Sequence, residues 1–389
     1  MSKLNDLITQ LCPDGVPYKK LGDLCTIETG RLNANKAVDD GAYPFFTTAE
    51  KTSRINSYRW DTEALLIAGN ANVGSVKHYT GKFEAYQRTY VLTNFNQDIN
   101  VRFLFHFTRA FLKKYLANKS NSAAMTYIVL STLKNFEIPL PPLPVQEEVV
   151  RILDSFTELE AELEAELADR KEQYEYYLDY LLDKNTIERM DGKPVEMKKL
   201  GEVEEDGLIK LGRGNVISKR DIANNPGIYP IYSASVTNNG KFGEYGNYMF
   251  DDIRLTWSID GGGRFFYRDD EKYSVTNVCG WLKVLDANAF SPKFLFYVLT
   301  SQWNKLVFNY TVKAHPSVIR NIYDIPMVSL STQERVVDIL DRFDALTTSL
   351  TDGIPAEIAM RREQYEYYRS RLLDFPRLPD DTASVSDGE

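Results

Sequence analysis

The chain has 389 residues, a length that predicts more than one domain. Hydrophobic residues make up 43% of it and charged residues 26%, which is ordinary for a globular protein and excludes wholesale disorder. No apolar run approaches about 18 residues and the N-terminus is polar, so we expect neither a membrane span nor a secretory signal. The three cysteines have no CxxC spacing, which excludes a disulfide scaffold and indicates a reducing, cytoplasmic location.

The formal net charge of −9 argues superficially against nucleic-acid binding, but this charge is unevenly distributed. Residues 1–143 carry +5 and residues 191–330 carry +1, whereas residues 144–190 carry −9 and residues 331–389 carry −6. Two acidic segments therefore mask two segments that are neutral to basic. Because the positive excess is modest, charge by itself is weak evidence for DNA binding.

The chain contains one internal duplication. The repeated pairs are KKLGD (19–23) with KKLGE (198–202), QEEVVRILD (146–154) with QERVVDILD (333–341), and RKEQYEYY (170–177) with RREQYEYY (361–368). Near-identity over eight or nine residues survives only in the helical segments, while the intervening globular parts match thinly. We therefore expect one module, a globular domain followed by a helix, to occur twice with pseudo-twofold symmetry.

The acidic segments are predicted to be long helices. Residues 145–183 contain no Gly or Pro and carry apolar residues at alternating spacings of three and four, which predicts a helix of about 58 Å. A helix with one apolar stripe needs a partner, and the second copy of the pattern supplies one, so we predict an antiparallel coiled coil. Gly353 and Pro355, at a four-residue insertion, are expected to break or kink the second helix. The residues expected to pair the helices are Ile152, Phe156, Leu159, Leu163, Ile339, Leu340, Phe343 and Leu346.

The fold class expected is α+β, with two mixed α/β globular domains separated by the two long helices. Strands are predicted at residues 63–68, 89–93, 254–257 and 281–284, and further helices at 103–116 and 292–308. The predicted segments are a first globular domain (1–143), a central helix and linker (144–190), a second globular domain (191–330), a C-terminal helix (331–375) and a disordered tail (376–389).

Catalytic motifs are absent from the sequence. His78, His106 and His315 are far apart and lack an HExxH pattern, so no metal site is expected. We interpret His106 as a packed helix residue. For His315 we favour a solvated loop residue, and the alternative is a residue that contacts a phosphate. The glycine clusters at 212–214 and 261–263 do not continue into a phosphate-binding loop and indicate turns. The proline-rich segment 139–144 is either a polyproline ligand or a stiff helix start, and we favour the helix start.

Asn- and Gly-rich loops with interspersed Arg and Lys are typical of surfaces that contact base edges and phosphates. Each such residue is, by itself, more often a solvated loop residue. The candidates in the first globular domain are Arg31, Asn33, Asn35, Lys36, Asn70, Asn72, Lys77 and Arg88. The candidates in the second are Arg213, Asn215, Lys219, Asn238, Asn239, Lys241, Arg264 and Lys313.

The stretch IPLPPLPVQE at residues 138–147 resembles the helix start of the specificity subunits of type I restriction-modification systems. The order of domain, helix, domain and helix over roughly residues 15–375 is similar to that family. The resemblance implies that each globular part is a target-recognition domain that reads one half of a bipartite, asymmetric sequence in double-stranded DNA. It also implies that the helices set the spacing between the halves and dock two methyltransferase subunits. The second helix start, PMVS at 326–329, departs from the family pattern.

The same resemblance implies a non-catalytic subunit of a restriction endonuclease and adenine-N6 DNA methyltransferase that defends against foreign DNA. This chain is then expected to bind no cofactor, with S-adenosylmethionine, ATP and Mg²⁺ used by the methyltransferase and restriction/translocase partners. Two alternatives remain open from the residues. One is a non-catalytic scaffold or interaction protein that keeps the coiled coil but has lost DNA reading. The other is an enzyme with an unrecognised site.

Overall fold

A computed structural model describes residues 2–119, 127–235, 238–269, 272–308, 312–349 and 351–379. The first repeat contains α1 (Ser2–Leu11), β1 (Tyr18–Lys20), α2 (Leu21–Leu24), β2 (Thr26–Thr29), β3 (Tyr43–Phe46), β4 (Ser53–Ile55), β5 (Trp60–Ala68), β6 (Val76–Ala85), β7 (Thr89–Thr93), α3 (Val101–Lys119), α4 (Leu130–Lys134), β8 (Glu137–Pro139) and α5 (Leu143–Leu182). The second repeat contains α6 (Lys184–Asp191), β9 (Glu196–Lys199), α7 (Leu200–Glu205), β10 (Ile209–Arg213), α8 (Lys219–Asn224), β11 (Tyr229–Tyr232), β12 (Lys241–Tyr245), β13 (Arg254–Ser258), β14 (Phe265–Arg268), β15 (Ser274–Val275), β16 (Cys279–Val284), α9 (Pro292–Trp303), α10 (Pro316–Ile322), β17 (Asp324–Met327), α11 (Leu330–Thr348) and α12 (Ile354–Leu372).

The chain forms two compact units whose boundaries fall inside α5 and α12. Unit 1 consists of Met1–Leu163 and Ile358–Glu389, and unit 2 consists of Glu164–Glu357. Each unit therefore contains the globular part of one repeat and a helix end from the other repeat. In unit 1, Tyr365 and Leu372 of α12 join the same hydrophobic core as α3 and the start of α5. In unit 2, Leu178 and Leu181 of α5 join the core of α9 and α11.

The two globular parts share one sheet topology. In unit 1 the strand order is β2-β7-β5-β6-β3-β4, and its one parallel pair is β3 with β6. In unit 2 the orders are β10-β16-β13-β14 and β12-β11-β15, with β11 and β15 parallel. These orders agree strand for strand if the long β6 is replaced by the two short strands β14 and β15. The duplication read from the helices therefore extends to globular parts whose sequences match thinly.

Short antiparallel pairs, β1 with β8 and β9 with β17, lie where the chain enters and leaves each globular part. Strand β8 leads directly into α5, and β17 leads into α11. The proline-rich segment after β8 is thus the connection to a helix, as favoured from the sequence. Among the described residues, no helix has the length and apolar character needed to cross a membrane.

A fully buried glutamine fastens each long helix at its start. Gln146 donates from Nε2 to Pro141 O at 2.7 Å and to Asp98 O at 2.8 Å, and its Oε1 accepts from Asn100 N at 2.8 Å. The corresponding partners of Gln333 are Val328 O, Ala289 O and Ser291 N, at 3.0, 2.8 and 2.8 Å. Because a buried amide without partners is costly, these bonds fix the start of α5 against α3 and the start of α11 against α9.

The long helices pair within each unit. In unit 1, Phe156 of α5 stacks on Tyr368 of α12 with ring centroids 5.6 Å apart, and Arg362 Nε lies 2.5 Å from Glu160 Oε1. Residue numbers rise along α5 while they fall along α12, so this pair is antiparallel, as predicted. In unit 2, Tyr177 of α5 stacks on Phe343 of α11 at 5.1 Å. The predicted break is confirmed, since α11 ends at Thr348 and α12 begins at Ile354.

The residues of the predicted pairing stripe differ in burial. Leu159 is 43% exposed, and Ile339 and Leu346 are each 37% exposed, so these three side chains lie outside the cores. Leu340 is buried, and Ile152 and Phe156 pack against the core of unit 1, whereas Leu163 and Phe343 are only half-buried. No residue of α5 between Leu153 and Leu178 is buried. The physical reason is that a single neighbouring helix covers only a narrow strip of helix surface, whereas a globular core covers much more.

The predicted disordered tail is wrong over residues 376–379. Val16 N donates to Pro376 O at 2.8 Å, and Leu378 N donates to Val16 O at 3.1 Å. Arg377 forms an ion pair with Glu137 at 2.7 Å. These bonds hold the end of the chain against the first globular part, while residues 380–389 lie outside the described residues.

Candidate nucleic-acid interface

Four loops of unit 1 are linked to one another by hydrogen bonds, and we call them loop cluster 1. They are residues 30–42 after β2, 47–52 after β3, 69–75 after β5 and 86–88 after β6. Gln87 N donates to Leu32 O at 3.0 Å, and Gly69 N donates to Arg88 O at 2.8 Å. Asn72 Nδ2 donates to Thr48 O at 2.9 Å. These contacts link the four loops into one continuous surface.

A glycine allows the first of these loops to approach the sheet closely. A Cβ atom placed on Gly30 would lie 1.9 Å from Ala85 O. The second globular part repeats the arrangement, because a Cβ atom on Gly214 would lie 1.9 Å from Val275 O. Since no other residue fits at such distances, these glycines serve backbone packing. Of the cluster at 212–214, Gly212 and Arg213 belong to strand β10, so the predicted turn there is wrong for these two residues.

Loop cluster 1 contains seven of the eight candidates predicted for the first domain. Arg31 and Arg88 are exposed, and within the described ranges their side chains have no hydrogen bond or ion pair. Asn33 accepts a hydrogen bond from Gln87 Nε2 at 2.8 Å, and Asn72 donates one to Thr48 O. The remaining candidates in these loops are Asn35 and Lys36 in the turn Ala34–Lys36 and the half-buried Asn70.

The eighth candidate, Lys77 on β6, is occupied within the protein. Its Nζ donates to Ala49 O at 3.1 Å, to Glu50 O at 2.6 Å and to Thr52 Oγ1 at 3.2 Å. Burial lowers the pKa of this half-buried lysine. These contacts are inside the protein, so the structure gives no support to the prediction of a DNA contact for Lys77.

The corresponding loops of unit 2 are residues 214–218, 233–235, 238–240, 259–264 and 276–278, and together with residues 312–315 before α10 they form loop cluster 2. Thr276 N donates to Tyr232 O at 2.9 Å, and Ser258 Oγ donates to Ala234 O at 2.6 Å. Of the predicted residues, Arg213, Asn215, Lys219 and Arg264 are exposed. Asn238 and Asn239 adopt positive φ angles of 49° and 52°. Lys241 pairs with Glu244 at 2.6 Å and Lys313 with Asp260 at 2.9 Å, so these two cations have acidic partners.

One residue of this region, Arg268, was missed from the sequence. It is 1% exposed, and it donates from Nη2 to Asn239 O at 2.8 Å and from Nε to Thr256 Oγ1 at 2.9 Å. No sequence pattern distinguishes a buried arginine from an exposed one. His315 is an exposed loop residue, as favoured from the sequence, and it also caps α10 by accepting from Ser317 N at 3.3 Å.

A carboxylate at the same position of each repeat ties the long helix to its globular part. Asp154 of α5 accepts from Arg102 Nε at 2.9 Å and from His106 Nε2 at 2.8 Å. Tyr365 of α12 donates to His106 Nδ1 at 3.4 Å. In unit 2, Asp341 of α11 takes the same role, with Lys293 at 3.4 Å and Tyr297 as its partners. His106 is thus a packed helix residue, as predicted.

Comparison with known proteins explains the duplicated fold. A family model, the type I restriction modification DNA specificity domain, matches residues 13–170 and again residues 193–360. The chain belongs to the type I restriction-modification DNA specificity family. The two matches correspond to the two repeats, each of a globular part followed by a helix.

Related specificity subunits align along most of their lengths. A putative type I specificity subunit of Mycoplasma pneumoniae is 34% identical over 260 residues, which cover 66% of this chain and 93% of the relative. The type I restriction enzyme MpnII specificity subunit of the same organism is 29% identical and covers 66% of this chain and 94% of its own. A putative specificity subunit of Haemophilus influenzae is 28% identical and covers 92% of this chain and 96% of its own.

Solved structures from type I restriction-modification systems share the fold. The crystal structure of the type I system S subunit from M. genitalium has a TM-score of 0.60 at 14% identity and covers 92% of this chain and 96% of that one. A chain from a study of assembly and conformational transition in a type I system has a TM-score of 0.57 at 15% identity and covers 93% and 98%. The α+β fold with two sheet domains and long helices in contact is therefore that of this family.

The buried His106 makes the stability of the specificity subunit depend on pH. Burial lowers the pKa of His106 from 6.5 to about 4, although its hydrogen bond to Asp154 opposes that shift. Between these values the unfolded chain binds a proton that the folded chain does not, so unit 1 loses stability as the pH falls from 6.5 to 4. The loss is at most about 3 kcal/mol.

We expect His106→Tyr, which copies Tyr297 of unit 2, to remove this sensitivity. The tyrosine keeps a donor for Asp154 but does not titrate in this range. The measurement is amide hydrogen exchange of residues 103–112 at pH 7 and pH 5, corrected for the intrinsic rates. Wild type should lose more protection than the variant at pH 5. Equal losses in both proteins would show that His106 does not cause the pH dependence.

Proposed function

We propose that this subunit directs a type I restriction-modification complex to one bipartite, asymmetric sequence in double-stranded DNA. Loop cluster 1 reads one half of that sequence and loop cluster 2 reads the other. The observation that carries the proposal is a single sheet topology that occurs twice with different loop residues. Different side chains present different donors and acceptors to base edges, so the two clusters read different bases.

The assignment of one half-sequence to each loop cluster gives each predicted segment a role. Residues 1–143 and 191–330 act as target-recognition domains, and residues 144–190 and 331–375 act as helical spacers between the half-sequences. In loop cluster 1, Arg31 and Arg88 are exposed arginines that have no partner among the described residues and can donate to phosphates or guanines. In loop cluster 2 the exposed Arg264 takes that part, together with Arg213 at the end of β10 and Lys219 at the start of α8, which flank the cluster. The other proposed contacts are Asn33, Asn35, Lys36, Asn70 and Asn72 in loop cluster 1 and Asn215, Asn238 and Asn239 in loop cluster 2.

Catalysis, in this proposal, belongs to the partners. Methylation of adenine N6 inside a duplex requires the base to be extruded into a pocket next to S-adenosylmethionine, and the methyltransferase subunit supplies that pocket. The restriction subunits use ATP and Mg²⁺ to translocate and cut unmethylated DNA. The specificity subunit then needs only to hold its partners in register with the sequence.

Two tyrosine patches are the proposed docking points for two methyltransferase subunits. The first patch, on the part of α5 in unit 2, consists of Tyr176, Tyr177 and Tyr180, which are 61%, 37% and 41% exposed. The rings of Tyr176 and Tyr180 stack at 5.8 Å. The second patch, on the part of α12 in unit 1, centres on Tyr367, which is 53% exposed and has the guanidinium of Arg371 5.1 Å from its ring.

The occupant of both patches follows from their duplication. Tyr176 and Tyr367 hold the same position in the repeated segment RKEQYEYY/RREQYEYY, which is nearly identical in a chain whose globular parts have diverged. Exposed tyrosines are typical anchors of protein interfaces rather than of helix surfaces that face only water. Because the two tyrosine patches have nearly the same sequence, we expect each patch to bind one copy of the same partner. That partner is the methyltransferase subunit, because the family acts within a methylating complex.

The test of the proposed function is methylome sequencing of a host with and without the gene, with methyltransferase subunits of a matching system co-expressed. We expect N6-methyladenine at one bipartite sequence only when the specificity subunit is present. A host whose assembled complex methylates no sequence would favour the alternative of a scaffold that has lost DNA reading. Methyl transfer by the purified chain without partners would contradict its non-catalytic role.

A further inference from the structure

In each globular part, a cation on one strand forms hydrogen bonds to a nearby loop, and both the strand and the loop are equivalent in the two repeats. In unit 1 the cation is Lys77 on β6, and the loop is residues 47–52 after β3. In unit 2 the cation is Arg268 on β14, and its loop follows β11. Strands β6 and β14 are equivalent in the two sheets, as are β3 and β11. The two residues are not at aligned positions, so the two units reach the same contact by different residues.

The contacts of Lys77 use its full donor capacity. A lysine ammonium has three N–H donors, and three acceptors of the loop, Ala49 O, Glu50 O and Thr52 Oγ1, lie within 3.2 Å of Nζ. Asn72 adds a fourth bond to the same loop through Thr48 O. A phosphate contact would therefore require Lys77 to give up a bond inside the protein.

Arg268 holds its loop from a more buried position. Its guanidinium lies 3.5 Å from the ring of Tyr232, at the end of β11, and donates to Asn239 O. Asn239 has a positive φ of 52°, a conformation that asparagine adopts more readily than most residues. The bond from Arg268 to the carbonyl of Asn239 holds the backbone of the loop at this turn.

We propose that Lys77 and Arg268 are positioning residues, which fix one reading loop in each unit before DNA arrives and do not themselves contact DNA. This inference rests on the proposed function. A loop ordered in advance loses less conformational entropy on binding and presents its tip in one geometry. In unit 1 that tip is Ala49, Glu50 and Lys51, all exposed. Base discrimination, rather than overall affinity, is then the property that depends on Lys77.

The test compares Lys77→Met with Lys82→Met in the complex with methyltransferase subunits. Lys82 is an exposed lysine of the same strand, and its ammonium lies 4.9 Å from the ring of Tyr58. We expect Lys77→Met to lower discrimination at one or more positions of one half-sequence by about tenfold, with the other half and the spacer unchanged. Arg268→Met should affect the opposite half. Lys77→Arg, which keeps a charged donor, should restore part of the discrimination, and Lys82→Met should match wild type.

Two further measurements separate positioning from contact. Amide exchange of residues 47–52 in the complex without DNA should be faster in Lys77→Met, and unchanged exchange would overturn the proposal whatever the DNA result. The slope of log affinity against log salt should stay the same, whereas a phosphate contact predicts uniformly weaker binding and a slope smaller by about one. That second pattern would also overturn the proposal. Failure of the proposed function gives a different result, since the wild-type complex would then recognise no bipartite sequence.

Discussion

Exchange of residues 21–136 for the corresponding segment of a related specificity subunit is expected to change one half of the methylated sequence and to leave the other half and the spacer unaltered. Unit 1 has its own hydrophobic core and its own loop cluster. The surface that reads DNA in unit 1 can therefore change without any change to the contacts within unit 2. The exchange leaves the β1–β8 pair in place, and this pair holds the two ends of the segment together. Single-molecule methylome sequencing of the host reads both halves directly.

The matched control is exchange of residues 200–323, which keeps the β9–β17 pair and should change only the opposite half. Either exchange is expected to abolish methylation at the original sequence, because each altered base pair in a recognised site costs about 1–3 kcal/mol. An active hybrid in which both half-sequences change would show that the units do not read independently, and the proposed division of labour would be wrong.

Substitution of the two patch tyrosines is expected to remove the methyltransferase subunits one at a time. Tyr176→Glu and Tyr367→Glu should each give complexes with one methyltransferase subunit per specificity subunit, and the double variant should bind none. Each change removes an aromatic anchor from the proposed contact, and truncation of such an anchor costs about 2 kcal/mol or more. Native mass spectrometry of the purified complexes measures the stoichiometry.

Tyr58→Glu is the matched control for these substitutions. Tyr58 is 43% exposed but lies in loop 56–59 of the first globular part, outside the repeated helical segment. Its variant should keep two methyltransferase subunits. If the double variant at Tyr176 and Tyr367 also keeps two, the tyrosine patches are not the docking points, although DNA reading by the loop clusters would remain possible.

Periodic patterns in the sequence predicted the regular elements well. The strand predicted at residues 89–93 is β7, and the predicted strands at 63–68 and 281–284 lie within β5 and β16. The helix predicted at 145–183 is α5 to within two residues at each end. Alternation of apolar residues and spacings of three and four arise from the local geometry of strands and helices, so they can be read without the fold. The helix predicted at 292–308 ends earlier, at Trp303, because no strong stop signal marks its end.

Predictions that depended on side-chain environment were less accurate. Lys77 and Arg88 look alike in the sequence, yet Lys77 is bonded to three loop oxygens while Arg88 is exposed. Leu159 continues the apolar stripe of α5 but is exposed, because that part of the helix lies outside both cores. Whether a cation or a leucine is buried depends on residues far away in the chain, and no local pattern records those residues.

By itself, the sequence determined the duplication, the two long helices with their break near Gly353, the α+β class and the family. These features are recognised from the identity and spacing of residues within short segments. Several of those segments are nearly identical in the two repeats. Only the tertiary structure decided that each unit takes a helix end from the other repeat, that Gln146 and Gln333 fasten the helix starts, and which candidate cations have partners inside the protein. Those features are contacts between residues far apart in the chain, such as Tyr365 and His106, which are 259 positions apart, and folding alone brings them together.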